Sequence, residues 1–457
     1  MTALRAGESK YKALVQLIAA DIESGGLKDG ARLPPQRDVS LSLGISVQTV
    51  TNAYKDLERH GLIRCEVGRG SFVSRRATEQ MASYMLDRAE HSLVDFSISR
   101  IIHTPEHDEA WMEVCGELAQ EVNQPWMREC RPIAGLERHR HAGVEWLSCL
   151  GVSATPDRLL ITNGASHALF LALAAVTGSD DLVLCERLTD HGVIGAAQAL
   201  GFQLKGLDID RHGIQPEHFE DMCASGHVKA LVCTPNLNNP TSSVMPDSRR
   251  RAIAKIAQKY GVYVVEDDVY GPLIQDRIAP ISSHIPDLAF YCTSFTKSVL
   301  TGLRTGYVCV PKRMALRVDS ILRVNSWMGT PLLAEVATRW IENGTAARLI
   351  SLQRERLQAR HASIGKYLSG YLDSAHVNAL SCWLAPPECW TLDALVAELR
   401  NRNVAVTLPD PFMVRDTERP HRVRLCLGAE CADERFTEAL GSIAALFEQY
   451  PKVNNFI

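Results

Sequence analysis

The residues with the clearest chemical meaning lie in one short stretch of the chain, residues 293–306. Ser294 comes three residues before Lys297, and Arg304 comes seven residues after that lysine. A lysine that forms a Schiff base must lose its proton, and both burial and nearby cations favour that loss. A phosphate-bearing aldehyde needs an arginine and a hydroxyl group at its anionic end. The stretch therefore predicts pyridoxal phosphate chemistry.

Polar residues elsewhere in the chain fit the same cofactor. Residues 162–166 predict a strand-to-helix turn, and free amides at a helix N-terminus bind phosphate. Asn239 could donate to a phenolic oxygen or, alternatively, form an Asx turn. Asp267 follows a predicted strand and could keep a pyridine nitrogen protonated, or it could cap a helix. Tyr270 lies three residues further on and could reach the ring hydroxyl. The order of these residues carries more weight than any one of them.

A sheet must position these residues, because they follow predicted strands. From about residue 110, strands and helices alternate with mostly short links, which indicates an α/β fold with a mostly parallel central sheet. Ligands bind at the carboxyl ends of the strands in such sheets. We predict strands at 158–161, 181–185, 203–207, 230–233, 262–266, 290–293 and 305–310, and helices at 167–177, 192–200 and 248–260.

From residue 110 to about residue 447, this ordered set resembles the fold-type-I aminotransferases. The shared order is a phosphate turn, an asparagine, Asp267-x-x-Tyr270, Ser294-x-x-Lys297 and then an arginine. The resemblance implies that Lys297 forms the internal aldimine with pyridoxal phosphate, and that a smaller C-terminal α/β subdomain covers about 325–457. By the same likeness, Asp267 pairs with the pyridine nitrogen, and Asn239 and Tyr270 bind the ring oxygen. The phosphate is bound by Ala165, Ser166, Ser294 and Arg304. Arg424 binds a substrate carboxylate, and Arg422 and Arg415 are close alternatives for that role.

The first seventy-odd residues predict a different activity, the binding of DNA. Helical periodicity covers residues 11–22 and 38–43, and Ser46 is a good N-cap for a third helix that runs to about residue 60. Two short strands at 62–66 and 71–74 complete a winged helix-turn-helix, whose third helix would enter the major groove. The candidate DNA-binding residues are Arg37, Gln48, Thr49, Asn52, Lys55 and, at the tip of the wing, Arg69. One alternative is that the winged helix binds protein rather than DNA. For Arg37 alone, the alternative to DNA binding is a structural ion pair.

The segment from Leu33 to Val73 resembles the GntR superfamily of bacterial regulators. The likeness rests on Leu-Pro-x-x-Arg-Asp at 33–38, on Thr49-Val50 and Ala53-Tyr54, and on Gly68-x-Gly70-Ser71-Phe72-Val73. Relatives often carry an arginine where this chain has Val47. A GntR-type head fused to an aminotransferase-like body is the pattern of the MocR subgroup. That resemblance implies a homodimer bound to double-stranded operator DNA. The homodimer can be domain-swapped, with the DNA-binding head of each subunit docked on the aminotransferase-like body of the other.

The effector side of the site departs from the aminotransferase pattern. Many relatives carry Glu-x-Pro-x-Tyr, whose tyrosine stacks on the cofactor, where residues 186–191 of this chain have neither proline nor tyrosine. His191 could stack on the ring, Asp190 could face an amine effector, or the stretch could be a surface loop. Ser242 stands where relatives end the asparagine loop with glycine. These differences weaken the case for transaminase turnover and leave the chemistry of Lys297 intact.

Length and composition indicate a multidomain globular protein. The 457 residues exceed one ordinary core, and a composition of 46% hydrophobic and 22% charged residues fits a soluble chain. No apolar run reaches the length of a membrane span, and 13 scattered cysteines without metal-type spacing indicate reduced thiols. We therefore expect a bacterial cytosolic, nucleoid-associated protein without a membrane or metal site. The predicted domains are a winged helix over 1–74, a linker over 75–94 and an aminotransferase-like domain over 95–457.

Together these motifs predict a transcriptional regulator that depends on pyridoxal phosphate. An amino acid or related amine would displace Lys297 by aldimine exchange and bias a two-state arrangement of domains. The rival hypothesis is a true aminotransferase whose N-terminal module tethers or autoregulates it. A DNA-binding protein that has lost the cofactor is disfavoured, because Lys297, Asp267 and Arg304 are all present.

Overall fold

A computed structural model describes residues 10–23, 26–27, 31–59, 62–66, 70–73 and 93–449 of the protein. The chain divides into two compact units, Met1–Ala89 and Glu90–Ile457, which we call the N-terminal unit and the C-terminal unit. Arg69 and most of the predicted linker, residues 75–92, lie outside the described residues. The predicted limits of the linker and of the domains beside it therefore stay a prediction.

The N-terminal unit contains three helices and a two-stranded sheet among its described residues. Helices α1 (Lys10–Glu23), α2 (Gln36–Leu43) and α3 (Val47–Arg59) are followed by strands β1 (Ile63–Glu66) and β2 (Gly70–Val73). The two strands pair antiparallel. Apolar side chains form one core, which includes Leu14, Ile18, Leu33, Val50, Leu57, Ile63 and Val73. This order of elements is that of the predicted winged helix-turn-helix.

Local sequence explains where α2 ends and α3 begins. Gly44 follows α2 in the left-handed conformation, with φ of 60°, which glycine adopts at little steric cost. The Ser46 hydroxyl then accepts a hydrogen bond from the Thr49 amide at 3.1 Å, as the predicted N-cap requires. The Tyr54 hydroxyl donates to the Pro34 carbonyl oxygen at 2.8 Å. These contacts fix the turn that separates the two helices.

Strands of the C-terminal unit form a seven-stranded central sheet and smaller sheets beside it. The sheet order is β4-β12-β11-β10-β9-β5-β6, in which β12 runs antiparallel to β4 and β11 while the other pairs are parallel. The fold class predicted from the sequence is thereby confirmed. In chain order the strands are β3 (Val94–Asp95), β4 (Leu159–Thr162), β5 (Leu182–Glu186), β6 (Gln203–Leu207), β7 (Ile209–Asp210), β8 (Gly213–Ile214), β9 (Val228–Cys233), β10 (Tyr263–Asp267), β11 (Ala289–Ser294), β12 (Gly306–Cys309), β13 (Leu372–Ser374), β14 (Ser381–Leu384), β15 (Val404–Ala405) and β16 (Val423–Cys426).

Helices cover the central sheet and follow its strands. Helix α7, which comes directly after β4, is apolar on nearly all sides because it packs among the sheet and its neighbouring helices. None of the helices among the described residues is long and apolar enough to cross a membrane. In chain order the helices of this unit are α4 (Pro105–Gln120), α5 (Pro125–Arg128), α6 (Glu137–Cys149), α7 (Ala165–Val176), α8 (His191–Leu200), α9 (Pro216–Ser225), α10 (Asp247–Tyr260), α11 (Ile281–His284), α12 (Ala315–Asn325), α13 (Pro331–Glu342), α14 (Thr345–Leu368), α15 (Leu392–Asn401) and α16 (Asp433–Phe447).

A second layer joins the two ends of the C-terminal unit. Strands β13, β14 and β16 form an antiparallel sheet, and α14, α15 and α16 pack in the same apolar core. Strand β3, at the start of the unit, pairs in parallel with β15, and Phe96 packs edge-on against Phe436 at a ring distance of 5.3 Å. The first residues of the unit are therefore held by its last elements.

The sequence of residues 95–109 predicts extended, irregular chain, and this prediction is wrong from residue 105 onward. Helix α4 begins there because Thr104 and His107 form a capping box and Pro105 occupies the first turn. The imidazole of His107 takes the place of the glutamate or glutamine that usually completes such a box, so the pattern is easily missed in the sequence.

Candidate cofactor and effector site

Strand ends gather the predicted cofactor-binding residues at one edge of the central sheet. Asp267 ends β10, and Ser294 ends the neighbouring parallel strand β11. Ser294 lies opposite Gly306, and Gly306 lies opposite Thr162. A Cβ atom at Gly306 would stand 2.8 Å from the carbonyl carbon of Gly164, so glycine allows these strand ends to approach so closely.

The turn between β4 and α7 is shaped to receive an anion. Gly164 has φ of 87°, a conformation that favours glycine, and it precedes the first amides of α7, those of Ala165 and Ser166. A Cβ atom on Gly164 would lie 3.0 Å from the exposed guanidinium of Arg304. The buried Ser294 hydroxyl has no hydrogen-bond partner among the described residues. Amides, guanidinium and hydroxyl together suit a phosphate group.

Burial makes the carboxyl group of Asp267 an unusually weak acid. Its side chain is 5% exposed, and its Oδ1 accepts a hydrogen bond from the Val269 amide at 3.2 Å. Burial, reinforced by the negative charges of Asp190 and Asp268, raises the pKa of Asp267 to about 8. A partner that carries a positive charge stabilises the ionised form of such a carboxyl group. A protonated pyridine nitrogen is a partner of that kind.

Lys297 lies on the loop after β11, and its ammonium group donates to the carbonyl oxygen of Ser99. Burial lowers the pKa of Lys297, and the charges of Arg424 and Arg304 act in the same direction, whereas the Asp190 carboxylate opposes them. A lowered pKa increases the fraction of neutral amine. The neutral amine is the form that attacks an aldehyde.

A chain of hydrogen bonds connects the predicted effector-binding residues. Asp190 caps helix α8, because its Oδ1 accepts from the Gly192 amide at 2.8 Å. Oδ2 of Asp190 accepts from Nδ2 of Asn239 at 2.8 Å, and Oδ1 of Asn239 accepts from Nη1 of Arg424 at 2.7 Å. The amide group of Asn239 therefore points its donor toward Asp190 and its carbonyl toward Arg424. The donor that was expected to meet the ring oxygen faces a carboxylate in this arrangement.

The stretch that departs from the family pattern is largely buried. Leu188 is 7% exposed and Thr189 is fully buried, so these two residues do not form the surface loop considered above. Nδ1 of His191 lies 3.7 Å from Oδ1 of Asp190. Burial acts to raise the pKa of Asp190, but the His191 charge and the amides of Gly192 and Asn239 hold it below its ordinary value. Asp190 is therefore an anion where many relatives place an aromatic ring.

Arg424 lies on β16 and is fully buried. Its Nη2 donates to the Ser97 carbonyl oxygen at 2.6 Å and to the Thr407 hydroxyl at 3.3 Å. Of the two alternatives, Arg422 pairs with a surface aspartate at 2.8 Å, and Arg415 is exposed. Of the three arginines, Arg424 is thus the one that contacts the other predicted effector-binding residues, through Asn239.

Residues beside Asp267 in the chain have different surroundings. Tyr270 is 5% exposed, and burial raises the pKa of its hydroxyl, which stays protonated. Oδ1 of Asp268 accepts from Nδ2 of Asn236 at 2.7 Å, and Oδ2 accepts from the Tyr291 hydroxyl at 2.5 Å. Asp268 therefore belongs to the scaffold, and Asp267 is the carboxylate that suits a cofactor.

Ser242 keeps a glycine-like conformation without being glycine. Its φ is 56°, a left-handed value that costs a serine about 1 kcal/mol. Its hydroxyl donates to the Ser381 carbonyl oxygen at 2.8 Å, and this buried bond offsets part of the cost. The bond also ties the asparagine loop to β14, so the departure at this position is structural.

The predicted DNA-binding residues lie in the N-terminal unit. Gln48, Asn52 and Lys55 are exposed on α3, at a spacing that places them on one face of the helix. Thr49 is half-buried, and Nε2 of Gln48 donates to Oδ1 of Asn52 at 3.1 Å. Arg37 is exposed on α2. Apart from Val47 in the first turn, the exposed side chains on this face of α3 are therefore polar, as a surface that reads base edges requires.

Sequence reasoning missed Ser97, Ser99 and Thr407. The two serines act through backbone carbonyl oxygens, which any residue type could supply. The Thr407 hydroxyl donates to the Ser97 carbonyl oxygen at 2.9 Å. The alternation of Val94 and Phe96 is the only local pattern that indicates a strand here.

Comparison with known proteins gives the family of each part. The model of the aminotransferase class I and II family matches residues 106–443. The chain belongs to this family. The model of the bacterial regulatory proteins of the gntR family matches residues 10–73, the winged helix-turn-helix. The molecule is therefore a GntR-type regulator segment joined to an aminotransferase-family unit.

Relatives that match this chain over both of its parts are named as regulators. The uncharacterized HTH-type transcriptional regulator YdeF of Bacillus subtilis is 27% identical over 435 residues, which are 91% of this chain and 90% of its own. The uncharacterized HTH-type transcriptional regulator YjiR of Escherichia coli is 26% identical over 468 residues, 95% and 98% of the two chains. The kynurenine aminotransferase structure from Pyrococcus horikoshii covers 82% of this chain and 94% of its own, with a TM-score of 0.72 and 18% identity, and shows the shared fold.

Pyridoxal phosphate is the cofactor that membership of the aminotransferase family assigns to this chain. The residues at the sheet edge fit it. The anion cradle at Gly164 suits the phosphate, the raised pKa of Asp267 suits the ring nitrogen, and the lowered pKa of Lys297 suits the aldehyde. The unpartnered Ser294 hydroxyl gains an acceptor when a phosphate is present.

Proposed function

We propose that the protein is a transcriptional regulator whose aminotransferase-family unit senses an amino acid or a related amine by aldimine exchange at Lys297. One observation carries the proposal. Asn239 donates to Asp190 at 2.8 Å and accepts from Arg424 at 2.7 Å, and the charges of Asp190 and Arg424 both act on the pKa of Lys297, in a chain that also carries GntR-type DNA-binding elements. A regulator that needed only the fold of an aminotransferase would not require this set of groups.

Pyridoxal phosphate, when bound, supplies an aldehyde carbon at which one amine can replace another. Lys297 would be the amine of the chain held at that carbon through Nζ, and it would become a free amine when an effector amine takes its place. Burial stabilises this neutral form of the lysine. The exchange needs no oxidant or reductant, so occupancy of the site by itself can carry a signal.

The chain's own residues divide the binding of cofactor and effector between them. Arg424 would bind a carboxylate of the effector, and the Asp190 and His191 pair would face its remaining groups. Because Asp190 is anionic, a cationic group on the effector is favoured there. For the cofactor, we propose Ala165, Ser166, Ser294 and Arg304 at the phosphate, Asp267 at the ring nitrogen and Tyr270 beside the ring oxygen. Asn239 would join Tyr270 there once its Nδ2 donor, which faces Asp190 at 2.8 Å in this structure, turns to the ring oxygen.

The N-terminal unit would bind double-stranded operator DNA through α3. Gln48, Thr49 and Asn52 suit base edges, and Lys55 and Arg37 suit phosphates. We also propose a homodimer, because aminotransferase-like sites are completed between two subunits in the family that the sequence resembles. Two heads would then bind paired half-sites of the operator.

Absorbance spectroscopy and DNA binding test the proposal together. The purified chain, loaded with pyridoxal phosphate, should show a visible band that changes when an effector amine is added, and Lys297→Ala should lack both the band and the change. The same amine should alter the affinity for operator DNA. Accumulation of a keto acid over many turnovers would favour the rival aminotransferase function. Equal spectra for the wild type and Lys297→Ala would exclude the assigned lysine.

A further inference from the structure

The aromatic ring of Phe412 lies against the guanidinium of Arg424 in the candidate site. Phe412 belongs to a short 3-10 helix, Asp410–Phe412, between β15 and β16, and it is fully buried. The Cζ atom of Arg424 stands 4.5 Å from the centre of the ring. An aromatic face attracts a cation in this position, and it does so more strongly where water is excluded. Since Arg424 is also fully buried, the ring holds it in addition to its hydrogen bonds.

The ring leaves the hydrogen-bond donors of Arg424 free for other groups. The N–H groups of a guanidinium lie in its plane, so a ring against its flat face does not compete for them. The acceptors at the edge of the guanidinium are Asn239, the Ser97 carbonyl oxygen and Thr407. The carboxylate of an effector would bind at that edge, in place of one of these acceptors. Phe412 thus fixes the plane of Arg424 without using its donors.

The backbone of Phe412 contacts the opposite side of the site. Its carbonyl oxygen accepts a hydrogen bond from the amide of Thr189 at 2.9 Å, and Thr189 directly precedes Asp190. An antiparallel bridge between Leu188 and Met413 lies beside this bond. One residue therefore contacts both the arginine and the stretch that ends in the anion of the site.

The segment that carries Phe412 is anchored at both of its ends. Nη2 of Arg419 donates to Oδ2 of Asp410 at 2.8 Å, which holds the start of the short helix. Val414 packs in the apolar core of the central sheet, and its amide donates to the Arg187 carbonyl oxygen at 3.0 Å. These contacts leave Phe412 little freedom to move away from the site.

From these contacts, and resting on the proposed function, we propose that Phe412 is a positioning residue for effector recognition. Its ring holds Arg424 in place for the carboxylate of an amino acid, and its carbonyl oxygen holds the residues before Asp190, which faces the other groups of the effector. Neither contact involves Lys297, so a cofactor bonded to that lysine leaves both in place. A side chain that is already fixed loses less freedom when a ligand binds, which strengthens binding.

L-alanine and ethylamine test this role, because they share the amine and differ by the carboxylate. The full-length protein, loaded with pyridoxal phosphate, is titrated with each probe, and the visible band measures binding. Phe412→Leu removes the aromatic face and keeps a buried apolar side chain. The dissociation constant for L-alanine should rise about 10-fold in this variant, as the loss of a desolvated cation–π contact predicts, whereas that for ethylamine should change less than about 2-fold.

Phe219→Leu is the matched control for the loss of a buried ring. Phe219 is also fully buried, in the apolar core that α9 shares with β5, β9 and β10. The control should lower the melting temperature and leave both dissociation constants unchanged. Unchanged binding of L-alanine to Phe412→Leu, or equal weakening of both probes, would overturn the positioning role.

Hydrogen exchange at the Thr189 amide tests Phe412 without an effector. Because this amide donates to the Phe412 carbonyl oxygen, its exchange in the full-length holoprotein should become about 10-fold faster in Phe412→Leu and stay unchanged in Phe219→Leu. A wild-type spectrum unmoved by either probe would count against the proposed function, and this exchange would then decide the role of Phe412. Exchange at the wild-type rate in Phe412→Leu would overturn it.

Discussion

At the scale of residues, Asp267 and Asp268 are adjacent carboxyl groups with different surroundings, because only Asp268 is linked to a buried cation. Nη2 of Arg250 donates to Oδ1 of Asn236 at 2.6 Å, and Nδ2 of Asn236 donates to Asp268 at 2.7 Å, so Asp268 balances a fully buried guanidinium through one amide. Asp267 has no such partner among the described residues, and burial raises its pKa to about 8.

Asp268→Asn should therefore destabilise the fold, because it removes the carboxylate that Asn236 links to the buried guanidinium of Arg250 and leaves Glu266 as the buried carboxylate that acts on that charge. We expect a loss of about 3 kcal/mol in the free energy of unfolding. Asp267→Asn is the matched control, since it removes a carboxylate one residue away that burial already disfavours. Thermal denaturation of the cofactor-free proteins measures both. Equal destabilisation by the two substitutions would contradict the division of roles.

The raised pKa of Asp267 predicts a pH dependence of stability in the cofactor-free protein. The ordinary pKa of an aspartate is 3.8, whereas that of Asp267 in the fold is about 8. Between these values the folded state binds the extra proton, so stability falls as the pH rises from about 4 to 8 and levels off above it. The slope is about 1.4 kcal/mol per pH unit at most.

Melting temperatures between pH 5 and pH 8.5 measure this slope, and Asp267→Asn should reduce it. Glu186 adds to the same trend, because burial raises its pKa to about 7. Glu186→Gln is the control: it removes the contribution of Glu186 itself, and a smaller part of the slope due to Asp267, because the Glu186 charge also helps to raise the pKa of Asp267. An Asp267→Asn variant with the full wild-type slope would show that another group takes up the proton.

At the scale of elements, the turn before α7 determines how the cofactor's phosphate is held. A methyl group on Gly164 would meet the Arg304 guanidinium at 3.0 Å, and φ of 87° strains any other residue. Gly164→Ala should therefore weaken cofactor binding by 10-fold or more, roughly 1.4 kcal/mol. Gly195→Ala in α8 is the matched control, because a Cβ there meets nothing within 4 Å. Absorbance titration with pyridoxal phosphate compares the two, and equal affinities would contradict this account of the turn.

Strand-end residues were the part of the site most readily predicted from the sequence. The β10 and β11 strands begin as apolar runs, so the polar pairs that end them, Glu266-Asp267 and Thr293-Ser294, are conspicuous. The orientation of Asn239 could not be predicted, because it depends on Asp190 and Arg424, which are far from it in sequence. The carbonyl oxygens of Ser97 and Ser99 belong to the backbone, so no side-chain pattern in the sequence indicates them.

At the scale of the whole molecule, the N-terminal unit makes the protein a DNA-binding protein with a measurable salt dependence. Lys55→Ala should reduce the slope of log affinity against log salt by about one for each head that binds. Asn52→Ala should instead relax sequence preference, at a cost of about 1–3 kcal/mol on the best site. Lys255→Ala on α10, an exposed lysine of the other unit, is the charge-matched control. Anisotropy with a duplex selected from random sequences provides the measurement, and identical slopes for Lys55→Ala and Lys255→Ala would contradict the assigned DNA surface.

The proposed function couples the two units, so the most direct test measures DNA binding by the N-terminal unit while an amino acid occupies the site of the C-terminal unit. The affinity of the full chain for its selected duplex is measured with and without the amino acid that changes the visible spectrum, for the wild type and for Lys297→Ala. We predict that the amino acid shifts the affinity of the wild type by 5-fold or more, in line with coupling free energies of 1–3 kcal/mol, and leaves Lys297→Ala unmoved. An equal shift in both proteins, or no shift in the wild type while its spectrum changes, would contradict the claim.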